Sequence, residues 1–103
     1  MRDVFGAMLE RYGQEAVLER TETSLRAFLQ PVLEKNERET GEYPSLGWLD
    51  ARLWRYLGRE ALEVGDVLCW QGLRLRVQSA RAVCLGEKVL YRQGVLTREA
   101  ERT

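Results

Sequence analysis

The stretch "GDVLCWQGLRLRVQSA", residues 65–80, decides the fold. Apolar residues alternate with others on both sides of Gln71 and Gly72. A two-residue turn there pairs Trp70 with Leu73, Cys69 with Arg74, Leu68 with Leu75 and Val67 with Arg76. Residues paired across a hairpin point to the same side, so Leu68, Trp70, Leu73 and Leu75 share one face, which Val77 extends. A slip of one residue would carry Arg74 and Arg76 into the core. Gly72 takes the left-handed backbone at the lowest cost. The stretch therefore predicts a hairpin with one buried face.

Toward the C-terminus, a turn at Leu85, Gly86 and Glu87 leads into "KVLYRQGVL", residues 88–96. This final strand is expected to carry Val89, Tyr91 and Val95 on one face, with Gly94 marking a bulge or a close strand crossing. The small, charged end "TREAERT" is expected to fray, with a flexible tail over residues 98–103.

Toward the N-terminus, "SLGWLDARLWRYLG", residues 45–58, carries two periods at once. Leu46, Leu49, Leu53 and Leu57 follow helical spacing, whereas Leu53, Arg55 and Leu57 against Trp54 and Tyr56 suit a strand. The aromatic content and the interruption at Gly47 favour an extended segment from about Ala51 to Leu57. Before it, "EKNERETGEYP", residues 34–44, has no apolar side chain except the ring of Tyr43 and reads as a long loop.

"EAVLERT" and "SLRAFLQPVLEK" alternate at period two and form two antiparallel strands around the turn candidates Glu22 and Thr23. Leu25, Ala27 and Leu29 share the buried face of the second. Pro31 cannot donate to a ladder, so that strand lies at an edge or bulges there. The first segment, "DVFGAMLERYG", is an amphipathic helix within residues 2–13, with Asp3 as N-cap and Gly13 past its end. Its stripe of Val4, Phe5, Met8, Leu9 and Tyr12 must dock on something, because so short a helix is marginal alone.

Short strands joined by hairpin turns point to a mainly β fold, a small antiparallel β-barrel of five or six strands behind a short N-terminal α-helix. At 103 residues the chain is expected to be a single domain, with the barrel over residues 15–97.

Sixteen basic residues balance sixteen acidic ones, so no general attraction to phosphate or lipid is expected. With no apolar run long enough to span a bilayer and no signal-peptide pattern, the chain reads as soluble and cytoplasmic, without a membrane partner. Cys69 and Cys84 lack metal-site spacing and are expected to be reduced packing residues. The absence of histidine removes the commonest general base and metal ligand. Neither a nucleophile arrangement nor a phosphate-binding glycine loop is present, so catalysis, cofactors and metals are not expected.

Arg74, Arg76 and Arg81, taken with Trp54 and Tyr56, would form either a basic and aromatic nucleic-acid face or a solvated outer wall. The long loop is the other candidate for contact with a partner, through Lys35, Glu37, Arg38, Glu39, Glu42 and Tyr43.

Four pieces taken in order, "MLERYGQEAVLER", "RAFLQPVLEK", "LEVGDVLCWQGLRLRVQSA" and "VLYRQGVL", resemble the bacteriophage and prophage head–tail connector proteins of the head-closure or joining type. The resemblance implies a non-enzymatic virion component assembled in the bacterial cytoplasm. It would form a ring with copies of itself and meet portal or adaptor proteins on one side and tail proteins on the other. It also implies that the loop over residues 35–44 projects toward the channel or a neighbouring subunit, and that DNA would be touched only non-specifically, in the channel. A tail terminator or other minor tail protein, and a small nucleic-acid-binding or regulatory barrel, are the alternatives.

Overall fold

The computed structural model describes residues 3–32 and 52–99. A helix, Val4–Tyr12 (α1), precedes strands Gln14–Leu18 (β1), Thr23–Val32 (β2), Leu53–Gly58 (β3), Val67–Trp70 (β4), Leu73–Leu85 (β5) and Lys88–Arg98 (β6). The strands pair antiparallel in the order β1-β2-β3-β6-β5-β4, and β4 returns to β1 to close a six-stranded barrel. Closure satisfies the edges that an open sheet would leave unpaired.

The β4–β5 hairpin has the register that alternation predicts: Val67 with Arg76, Leu68 with Leu75, Cys69 with Arg74, Trp70 with Leu73. Both turn residues lie at positive φ, 47° at Gln71 and 80° at Gly72. Such a turn matches the twist of the flanking strands. Leu68 and Leu75 have no exposed surface, and Leu73 and Val77 are also buried. They pack with Ala16, Leu18, Leu25, Ala27, Leu29 and Leu96 from the other strands.

The ambiguous segment is extended, as its aromatic content favours, and Trp54 and Tyr56 point into the barrel at 1% exposure each. Trp54 meets Trp70 edge to face with ring centroids 5.6 Å apart. Two aromatic rings fill a barrel interior that the alanines at 16 and 27 leave wide.

Pro31 sits where β2 outruns β1, whose pairing ends at Gln14 opposite Ala27. The Leu29 N–H points to that open side and donates to Gln14 Oε1 at 2.7 Å. Two residues on, the proline nitrogen faces the same side, where no ladder bond is lost.

The β6 reading needs correction. Tyr91 and Val95 do share a face, the outer one, through their pairing with Val83 and Ser79, but Val89 pairs with Cys84 and lies on the opposite face; Gly94 and Leu96 point inward. The irregularity at Leu90 explains the difference, because the extra residue shifts the alternation of β6 by one; a second, at Gln78, does the same in β5. Gly94 does mark a close crossing, since a Cβ there would lie 2.7 Å from the Ser79 carbonyl oxygen. Gly94→Ala is therefore expected to lower stability by about 1–3 kcal/mol in a denaturant titration. An unchanged midpoint would mean that the strands separate freely at this point.

Three other expectations change. Thr97 and Arg98 belong to β6, and the Glu99 N–H donates to the Arg74 carbonyl at 2.9 Å, so the described end of the chain is tied down. Thr23 pairs with Leu18, which moves the first turn to residues 19–22, with Glu22 at φ 57°. Cys84 is exposed rather than packed, although both cysteines are free thiols.

In α1, Asp3 caps Gly6 at 3.0 Å as the sequence predicts. Only Leu9 of the apolar stripe is buried. Phe5 stacks on Tyr91 at 5.3 Å and meets Phe28 edge-on at 6.1 Å. Val4, Met8 and Tyr12, expected to dock, are 58%, 49% and 64% exposed. The helix touches the barrel along one edge of its stripe, because Arg26 reaches across to the carbonyls of Leu9 and Gly13 and sets its tilt.

Candidate interaction surface

Two features stand out on the barrel exterior: a polar seam and a projecting ribbon. The seam is the closure of β1 on β4, which has only two paired positions, Val17 with Cys69 and Leu18 with Leu68. Charged side chains flank it on both sides. Arg74 donates to both Glu19 carboxylate oxygens at 2.8 Å and to Glu99 Oε2 at 2.8 Å. Arg76 Nε donates to Glu99 Oε1 at 2.6 Å. Hydrogen bonding from Arg74 holds the Glu19 carboxyl below its ordinary range.

On the other flank Arg20 donates to both oxygens of Asp66, at 2.8 and 3.2 Å. Asp66 is buried and also accepts from the Glu63 N–H at 2.9 Å. The Arg20 hydrogen bonds, together with that N–H, keep its carboxyl low. Asp66 thus fixes the start of β4 and the end of the link from β3.

That link, residues 59–66, crosses one end of the barrel, where Leu62 is buried in the core cluster. Tyr56 anchors it from inside, its hydroxyl donating to the Glu60 carbonyl at 2.9 Å. Gly58 makes room for the ring, since a Cβ there would lie 2.6 Å from the Tyr56 oxygen. Burial pushes the phenol up from 10.0 to about 12. A buried phenol resists ionisation while the unfolded chain ionises freely. The stability it contributes is complete below pH 10 and is lost as pH rises toward about 12. Tyr56→Phe should flatten that alkaline loss in melts taken across the interval, and an identical slope in both proteins would count against the buried phenol.

The ribbon is the distal part of the β5–β6 hairpin. β4 pairs with β5 only as far as Arg76, and β3 pairs with β6 only from Arg92 onward. Gly65 and Asp66 extend the contact to Val77. Beyond these points β5 and β6 continue as a two-stranded arm to the turn at Gly86 and Glu87. Leu85 at its tip is 68% exposed, with Val89 and Leu90 at 40% and 36%. An apolar ribbon standing clear of its own core is a candidate contact surface.

The residues expected to meet partners fare differently. Arg74 and Arg76 lie on the outer wall, but their charges are matched by Glu19 and Glu99. Arg81 lies on the outer face beside Gln93, whose amide oxygen, turned toward it, accepts at 2.6 and 2.7 Å. Trp54 and Tyr56 are core residues, so the basic and aromatic nucleic-acid face does not form. Lys35, Glu37, Arg38, Glu39, Glu42 and Tyr43 lie outside the described residues.

Sequence reasoning missed the arm. Its signal is a mismatch of lengths: the run of 13 residues in β5 follows a β4 of four, so most of β5 cannot pair with it. Among the described residues, no group of three cysteine, aspartate or glutamate side chains is placed to hold a metal ion. None of the described helices is long and apolar enough to cross a membrane. Comparison with protein-family models and with curated proteins finds no match for the chain.

Proposed function

We propose that this chain is a non-enzymatic virion assembly protein of a bacteriophage or prophage, a head–tail connector component of the head-closure or joining type. The observation that carries the reading is the apolar β5–β6 arm extending past the barrel wall, with Leu85 and Val89 exposed. The α1 stripe of Val4, Met8 and Tyr12 is a second exposed apolar surface, on a different element. Two unlike surfaces on one chain are what a head-to-tail contact joins, and such contacts generate rings when the rotation closes. The polar seam leaves the barrel wall internally neutralised, which suits subunits packed side by side.

Light scattering over a concentration series, with and without a portal protein encoded by the same genome, tests this reading. The expected result is a ring, formed alone or on the portal. The Leu85→Glu, Val89→Glu double variant is expected to keep the parent melting temperature, since both side chains are exposed, and to lose the ring. A chain that stays monomeric at all concentrations and ignores the portal would overturn the assignment. A tail terminator shares this contact chemistry, and assembly on a tail-tube protein instead of the portal would select it.

A further inference from the structure

At the base of the arm, on the outer face of β3, β6 and β5, lies an open cleft of about 240 Å³ lined by Arg55, Ser79, Arg81, Gln93 and Val95 around the Gly94 backbone. We propose that this cleft is an anion subsite for an acidic side chain of a partner protein, presented by an extended segment that pairs with the free edge of β5.

Arg55 pairs with Val95 and Arg81 with Gln93, which brings both guanidinium groups to the same outer face across β6. Six other cations around the barrel have acidic or carbonyl partners: Arg74 and Arg76 on Glu19 and Glu99, Arg20 on Asp66, Arg59 on Asp3, Arg26 on Leu9 and Gly13, Arg92 on the Arg59 carbonyl. Arg81 spends two of its N–H groups on the neutral Gln93 amide. A guanidinium has five such donors in a fixed fork, so the remaining ones are available to a carboxylate. The volume holds a carboxylate with several waters of ~30 Å³ each.

The neighbouring edge decides how the anion arrives. Backbone pairing on the β4 side of β5 ends at Val77, and the strand runs on to Leu85 without a partner on that side among the described residues. A sheet edge of this kind accepts an extended peptide, with main-chain bonds for affinity and alternate side chains for selectivity. Outer-facing positions along this edge are Ser79, Arg81, Val83 and Leu85, by their pairing with Val95, Gln93, Tyr91 and Lys88. An added strand would therefore place one side chain beside Arg81 and apolar ones beside Val83 and Leu85. A polynucleotide fits less well, because it needs a run of cations and the nearby Arg74 and Arg76 are already neutralised.

The subsite is distinct from ring assembly, and its test reads the cleft directly. A capped peptide of alternating threonine and valine with one central glutamate, and its glutamine twin, are titrated into the isotopically labelled full chain while the Arg55 and Arg81 Nε–H signals and the amides of residues 79–85 are followed. The expected result is movement of both sets of signals with the glutamate peptide, and binding about tenfold weaker or less with the glutamine twin. Arg55→Gln with Arg81→Gln should abolish that difference and leave the melting temperature unchanged. Equal binding of the twins, or arginine signals that stay fixed, would overturn the subsite. A single-stranded oligonucleotide that binds the parent and not the double variant would replace it with a phosphate site. A double variant that still forms rings on the portal would leave the assembly reading standing whatever the fate of the subsite.

Discussion

Leu75→Asp is expected to abolish the cooperative thermal transition. Leu75 has no exposed surface and sits between Leu68 and Arg98 in the register of β4, β5 and β6. Truncating a buried leucine costs about 2–5 kcal/mol. A carboxylate in its place adds the penalty of an unpaired charge in an apolar interior. The whole stability of a domain this size is about 5–15 kcal/mol, so the sum leaves little or nothing. Leu75→Met, which nearly conserves volume, should cost less than about 1.5 kcal/mol. An aspartate variant that melts like the parent would mean that the hairpin register is off by one and that Leu75 faces water.

Trp54→Ala is the second large effect, expected at about 3–5 kcal/mol in a denaturant titration. The indole is 1% exposed and contacts Trp70, so its removal opens a cavity in the middle of the barrel. Arg55→Ala, one residue along and on the outer face, should change stability by less than about 0.5 kcal/mol. The contrast between neighbours tests the orientation of β3. It also separates a core tryptophan from one that stacks on a base. Loss of nucleic-acid binding with unchanged stability would reverse the present assignment.

How much was legible in the sequence differed from strand to strand for physical reasons. The β4–β5 hairpin could be read in full because its two faces differ in kind, with leucine on one and arginine on the other at period two. Only one register keeps Arg74 and Arg76 out of the core. β2 was readable in the same way, and Pro31 announced the place where its neighbour stops. β6 was not, because Val89, Leu90, Tyr91, Val95 and Leu96 make both faces apolar. The irregularities at Gln78 and Leu90 then shift the inward side twice along the hairpin.

The interaction surface was less legible still. Arg74 meets Glu19 across 55 residues of chain, and only the closure of β1 on β4 brings them together. No local pattern records that pairing, so a neutralised arginine and a free one look alike in sequence. The α1 stripe shows the same limit. Its period is local and legible, but what covers it depends on where Arg26, Phe28 and Tyr91 place the helix.

Local pattern along the chain sets the strands, the turns at Gly72 and Gly86, the buried face of the central hairpin and the mainly β class. Those depend on alternation and on backbone freedom, which act over a few residues. Tertiary structure alone decided that the barrel closes with six strands, that the β5–β6 arm outruns its neighbours, and that Arg55 and Arg81 share one cleft. These follow from which strands end up adjacent and where each one stops, and adjacency is a property of the closed sheet rather than of any segment within it.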